Sequence, residues 1–251
     1  MTLPLADAEV ASIERATLEA VVPDRMEQMQ GWLLPIFDGT VGRARSAVPL
    51  QHGQPDTTQI GPIAERYLAL GFAPAFRLPD LPAFSDFHAQ LQSLGFVREQ
   101  PSLTMVGNVE NLLSLHPGPA GELHAQADAQ WMAMFLGPGL DPVDGASRAR
   151  ALSRAENTLF ASVQEAGCTV ASGAAAFGQG WLSVHGMRTH AAHRGRGLAR
   201  RVLVTMAQEA QRRGLSKVFL QVDAGNTAAL VLYRRAGMVT AWPYSYWRAI
   251  D

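Results

Sequence analysis

Thr189-His190-Ala191-Ala192-His193-Arg194-Gly195-Arg196-Gly197-Leu198-Ala199-Arg200-Arg201 is the stretch on which the reading of this chain turns. The apolar segment from Trp181 to Thr189 runs into it as a strand. A helix leaves it, with Ala199, Leu203, Met206, Ala207 and Ala210 on one face at i, i+4, i+7, i+8 and i+11. Between strand and helix sit two glycines and a cluster of arginines. Such a loop bares backbone N–H groups at a helix N-terminus, where they and the helix dipole favour a phosphate. The stretch therefore reads as a cradle for the pyrophosphate of a nucleotide-like cofactor.

Two familiar phosphate loops fit it poorly. A Walker loop needs Gly-Lys-Ser/Thr, whereas Gly197 is followed by Leu198-Ala199. The dinucleotide fingerprint needs a third small residue, and Gly195-Arg196-Gly197-Leu198-Ala199-Arg200 has arginine there. The pattern Arg/Gln-x-x-Gly-x-Gly/Ala does fit, over Arg194-Gly195-Arg196-Gly197-Leu198-Ala199. A second block follows in order, Asn226-Thr227-Ala228-Ala229-Leu230-Val231-Leu232-Tyr233-Arg234-Arg235-Ala236-Gly237-Met238. Together the two blocks resemble the signature of the GNAT (Gcn5-related) N-acetyltransferases, strongly over residues 181–238 and in outline from about Leu123 to the C-terminus.

That resemblance implies a mixed α/β sheet of the acyl-CoA N-acyltransferase fold, with acetyl-CoA as cofactor. By analogy, the backbone of Met187, Arg188 and Thr189 would pair with the pantetheine arm like an added strand. N–H groups from Gly195, Arg196, Gly197, Leu198, Ala199 and Arg200 would hold the pyrophosphate, with Arg194 and Asn226 also at the cofactor. Tyr233 matches the family's general acid for the departing thiolate. Ala191 stands where many members have proline. No motif marks the general base. His185 on the approaching strand is the candidate, its ordinary pKa being near neutral, ahead of Glu122 and Asp223. A purely structural histidine is the competing reading, and Asn226 is equally suited to be only a helix N-cap.

Outward from these blocks the second half alternates strands and helices: strands at 123–127, 158–163, 169–177, 181–189 and 218–222, helices at 129–135 and 147–157, and a last strand from Met238 to Trp247 broken at Pro243. Such alternation is α/β with at least one parallel pairing. In the first half, helices are expected at 7–22, 61–70 and 84–94, and strands at 76–78 and 103–106. A hairpin is expected to turn at Asp38-Gly39 between 29–37 and 41–48. Tyr67-Leu68-Ala69-Leu70-Gly71-Phe72 echoes Tyr233-Arg234-Arg235-Ala236-Gly237-Met238. The expected organisation is two tandem GNAT-like domains, a diverged copy at 1–120 and the acetyl-CoA-binding domain at 121–251.

Composition agrees with a packed globule: 47% of the 251 residues are hydrophobic, 17% are charged, and the formal net charge is -1. Neither nucleic acid nor an acidic membrane is expected as a partner, and no run reaches the roughly 20 apolar residues of a membrane span. One cysteine, Cys168, excludes an intrachain disulfide and is expected to be small and buried. The chain reads as cytoplasmic. His185 and His190 fall on opposite faces of a regular strand, so no metal site is expected. His190 and His193 are expected to be exposed, and Arg212 and Arg213 to lie on a solvated helix face. The function expected is direct transfer of an acetyl group to a primary amine, small or on a peptide, in a ternary complex. A non-catalytic acyl-CoA sensor and a nucleotide-dependent enzyme are the alternatives.

Overall fold

The computed structural model describes residues 5–115, 118–137 and 139–249. Helix α1 (Asp7–Ala20) precedes a hairpin of β1 (Arg25–Met29) and β2 (Trp32–Ile36). The short β3 (Val48–Pro49), α2 (Ile60–Ala69), β4 (Ala75–Pro79), α3 (Ser85–Ser93) and the long β5 (Phe96–Asn108) follow. Next come α4 (Val109–Leu113), β6 (Glu122–His124), α5 (Ala129–Ala133) and α6 (Pro142–Ser153). The meander β7 (Thr158–Glu165), β8 (Cys168–Gly178) and β9 (Trp181–Thr189) leads to α7 (Leu198–Arg212), β10 (Lys217–Asp223), α8 (Thr227–Arg235) and β11 (Val239–Ala249). Among the described residues, no helix is long and apolar enough to cross a membrane.

One eight-stranded sheet dominates, in the order β4-β11-β5-β10-β9-β8-β7-β6, beside a three-stranded sheet β1-β2-β3. Within the large sheet only β9 and β10 run parallel. Helix α7 covers one face. Its Val202, Leu203, Met206, Ala207 and Ala210 pack on Val184 and Leu220, as the amphipathic stripe requires. Helix α1 covers the other, with Val10, Ile13 and Ala16 against Trp181, Phe219 and Trp242. Helices of this length are marginal alone. Each large apolar side chain taken out of water contributes about 1.5–3 kcal/mol, so the sheet holds them.

The order of the central strands matters most for the site. β5, from the first half of the sequence, lies between β10 and β11, and β11 lies between β4 and β5. The units β4–α3–β5 and β10–α8–β11 thus each send their last strand into the other. The boundary expected at 120/121 does not separate two sheets, because the stretches on either side of it share one. The helices in matching places are α3 and α8, closed by Gly95 (φ +82°) and Gly237 (φ +72°). The sequence echo instead aligns the end of α2 with the end of α8.

Four local expectations change. The hairpin turns at Gln30-Gly31, where both residues have positive φ and Met29 opposes Trp32, a two-residue turn that matches strand twist. Asp38 donates its backbone N–H to Asp24 instead, and Gly42–Arg45 is a turn of 3-10 helix where a strand was expected. Helix α6 begins earlier than its apolar residues suggest, because the Asp141 carboxylate caps Val143 and Asp144 and Pro142 occupies the first turn. Pro243 does not break β11; it lies between two register shifts, and its carbonyl accepts from the Asp80 N–H of the β4 end. Cys168 is exposed, not buried, because it opens β8 at the tip of the hairpin opposite Glu165.

Candidate active site

Strands β9 and β10 are paired only from Trp181/Lys217 to Val184/Leu220. Past that point β9 carries a bulge. Ser172 opposes Arg188 and Ala174 opposes His185, so Gly173 alone faces Gly186 and Met187. Gly186 has φ +59°, and a Cβ on it would stand 2.8 Å from Leu152 Cδ1 and 2.9 Å from Phe135 Cζ. Only glycine fits. Beyond the bulge the two strands have no ladder between them, which leaves the β10-facing backbone of Met187–Thr189 without a strand partner. A cavity of about 1010 Å³ occupies the opening. That is at the upper end for one small-molecule site, and it has room for a long cofactor and a second substrate.

One end of the cavity is an anion cradle. Gly195 (φ +78°) and Gly197 (φ +77°) bend the loop in the left-handed region that glycine tolerates. Gly197 stands at the N-cap of α7 with no side-chain cap, and the first bonds of the helix run from Arg200 and Arg201 N–H to its carbonyl. The N–H groups of Gly195, Arg196, Gly197, Leu198 and Ala199 have no acceptor among the described residues. Bare donors at the positive end of a 15-residue helix suit a phosphate. Arg194 and Arg200 line this end, joined by Arg235 of α8. The side chain of Arg196 does not. It forks onto Glu165 at 2.8 and 2.9 Å, and Arg196 is not among the residues lining the cavity, against the expectation that placed it at the site. Arg212 and Arg213 pair with Glu209 on the outside of α7, as expected.

The other candidates meet deeper in the same cavity. Tyr233 of α8 is 6% exposed, its ring in the core on the α7 side of the sheet, and its hydroxyl is bonded to no described residue. Burial pushes its pKa up to about 12, against a pull from the Arg188 guanidinium. Asn226 lines the cavity and caps α8, accepting from Ala229 N–H at 3.2 Å. His185 is 2% exposed on the opposite, α1 side, edge-on to Phe219. Neither of its ring nitrogens has a partner among the described residues. Burial first, and the Arg43 guanidinium second, push its pKa well below the ordinary histidine range. Of the weaker base candidates, Asp223 lines the cavity, while Glu122 lies on the edge strand β6 beside His124. His190 is exposed and His193 half-buried. Among the described residues, no cluster of histidine, cysteine and carboxylate could hold a metal.

Four further residues of the wall lie outside the set expected at the site. Arg43 comes from the 3-10 turn of the first half and donates to Gln221 Oε1 at 3.0 Å. Gln221 follows the last residue of β10 that pairs with β9. Tyr244 and Tyr246 of β11 complete the wall. Only the tyrosines had a signal, their alternation along a C-terminal strand.

The state of His185 gives a pH prediction. A histidine buried neutral binds fewer protons folded than unfolded, so stability falls as pH drops below the unfolded value of about 6.5. Each pH unit below it is expected to remove up to about 1.4 kcal/mol through this group. His52, lowered to about 4 by burial, acts in the same direction. Denaturant titrations of wild type and His185→Gln between pH 7.5 and 5.5 check this. The variant should show the shallower loss, and parallel curves would remove His185 as the cause.

A protein-family profile described as "Probable histone acetyltransferase Rv0428c C-terminal" matches residues 7–247. The chain belongs to this family and is a GNAT N-acetyltransferase. Solved structures share its fold over nearly the whole chain. A GCN5-related N-acetyltransferase from Kribbella flavida superposes with a TM-score of 0.71 at 20% identity, covering 96% of each chain. A functionally unknown conserved protein from Staphylococcus epidermidis gives 0.68 at 12%, covering 95% of this chain and 100% of that one. A tandem GNAT protein from the clavulanic acid biosynthesis pathway gives 0.62 at 13%, covering 98% and 97%. No curated protein matches the sequence.

Proposed function

We propose that this GNAT protein transfers the acetyl group of acetyl-CoA directly to a primary amine bound in the same cavity. The observation that carries the reading is convergence. Gly195 and Gly197–Ala199 with their bare N–H groups, Met187–Thr189 with its unpaired backbone edge, and Tyr233 all line one cavity, as the pyrophosphate, pantetheine arm and thioester of one cofactor require. Acetyl-CoA supplies the activated acyl thioester. The chain's own residues do the rest. The α7 N-terminus with Arg194, Arg200 and Arg235 holds anionic oxygens. The β9 edge orients an amide-bearing arm by strand addition. Tyr233, kept protonated by burial, gives its proton to the leaving sulfur. His185, kept neutral, offers a lone pair to the amine.

The first half, residues 1–120, is read as a diverged GNAT-like half that keeps no phosphate loop. Residues 121–251 are the cofactor-holding half. The matching units β4–α3–β5 and β10–α8–β11 support this, and so does the first half's contribution of Arg43, Val41 and Ser102 to the cavity wall.

Calorimetry with CoA, ATP and NAD tests the cofactor, and an amine panel followed by thiol release tests the reaction. CoA is expected to bind well ahead of ATP and NAD. Gly197→Val places a Cβ at positive φ, 2.8 Å from Arg200 Nη2, and should weaken CoA about tenfold or more. Tight ATP binding without CoA would sink the acetyl-CoA reading. CoA binding with no turnover on any amine would instead favour a non-catalytic acyl-CoA sensor.

A further inference from the structure

Resting on the acetyl-transfer reading, we propose that the acceptor is a small amine that also carries a carboxylate, as an amino acid does. The carboxylate would be held by Arg43, Arg188 and Gln221, and its amine set against His185. The inner chamber is rich in polar atoms, most of them donors, that no described residue satisfies. Arg188 Nε, Gln221 Nε2 and both ring nitrogens of His185 are buried without partners among the described residues, and all three residues line the cavity. Buried polar atoms left unpaired are costly, so four of them on the two diverging strands mark a place for a polar ligand. The direction of Gln221 is pinned. Its Oε1 accepts from Arg43, which leaves its NH2 group as the donor with no acceptor among the described residues.

The charge is equally one-sided. Arg43 and Arg188 have no carboxylate within ion-pair distance among the described residues. Arg148, also at the wall, is neutralised by Asp144, and Arg77 nearby by Glu14. Asp144 acts on Arg188 and Glu14 on Arg43 at longer range, but each carboxylate is held in its own ion pair, so positive charge leads on this side of the sheet, opposite the phosphate cradle. Arg188 lies over the Phe135 ring at 5.0 Å, a cation–π contact that helps hold the guanidinium in place. A carboxylate meets this excess with charge-assisted hydrogen bonds. A lysine-rich peptide would bring more positive charge into it and be repelled.

The test is an acceptor series on the intact protein with saturating acetyl-CoA, followed by thiol release. It contains amino acids, each beside the amine that lacks its carboxylate, and a basic peptide with a lysine. The carboxylated members should have kcat/KM values at least about tenfold above their partners and above the peptide. Arg43→Gln should raise KM for the carboxylated amines by about tenfold to a hundredfold and change KM for their partners by far less. Arg43→Lys should recover part of the loss. CoA affinity, measured by calorimetry in each variant, should not move. Preference for the basic peptide or for the decarboxylated amines overturns the acceptor class and leaves acetyl transfer standing. Equal loss on both members of each pair overturns the role of Arg43. Absence of CoA binding in wild type overturns the acetyl-CoA reading, and this proposal with it.

Discussion

Tyr233→Phe is expected to lower kcat by about a hundredfold or more, the usual range for removing a general acid, while CoA affinity changes by less than about threefold. The ring packs in the core beneath α8, so phenylalanine keeps the apolar contacts and removes only the hydroxyl. That hydroxyl bonds to nothing described, so its loss leaves no buried partner unsatisfied and the fold should keep its stability. With its pKa near 12 the phenol stays protonated throughout the working range, and it can give a proton without ever titrating below about pH 10. Steady-state kinetics beside CoA calorimetry separate the outcomes. A variant with full kcat would show that the thiolate leaves unaided or takes its proton from water. A variant that loses CoA affinity with kcat intact would make Tyr233 a wall of the binding site.

The second large effect is on stability. Glu14 of α1 and Arg77 of β4 form a two-pronged ion pair with both side chains 1% exposed. Burial raises the Glu14 pKa against the opposing pull of Arg77, so this pair stands near the limit of what its geometry can support. Arg77 also lies 5.4 Å from the Tyr244 ring centre, beneath a wall of the cavity. Removing one partner strands the other charge in the core. Glu14→Gln is therefore expected to cost about 3–5 kcal/mol in chemical denaturation. Replacing both, Glu14→Leu with Arg77→Met, should cost much less than the two single changes together, because no charge is left unpaired. A single variant costing under about 1 kcal/mol would mean that water reaches the pair. The pair joins α1 to the β4 end of the sheet, so the double variant also tests whether Tyr244 and the acceptor chamber depend on charge or only on packing.

Local sequence was sufficient where the physics is local. The glycines of the 195–197 loop, the stripe on α7, the Asn226 cap and the closing Gly237 are each properties of a few neighbouring residues, and the structure places them as those residues dictate. Twelve of the thirteen residues expected at the site line one cavity; only Arg196 turns away, drawn by Glu165, which lies 31 residues earlier in the chain. The bulge at Gly186 was hidden, because its need for glycine comes from Phe135 and Leu152 pressing on it. The sharing of one sheet by both halves was hidden too, since strand order depends on which edges meet and not on the pattern along either strand. Arg43 sits in a stretch whose apolar alternation reads as a strand; only the close approach of its neighbour Gly42 to Tyr246 and its own bond to Gln221 make it part of the chamber. The sequence by itself determined the glycine–arginine loop at the α7 N-terminus and the cap of α8, because helix termini and caps are written in adjacent residues; the family resemblance supplied the roles proposed for them. Tertiary structure decided the chamber in which we propose the acceptor sits, because its walls come from α6, β5, β9, β10, β11 and the turn after β2, and no stretch of sequence contains them together.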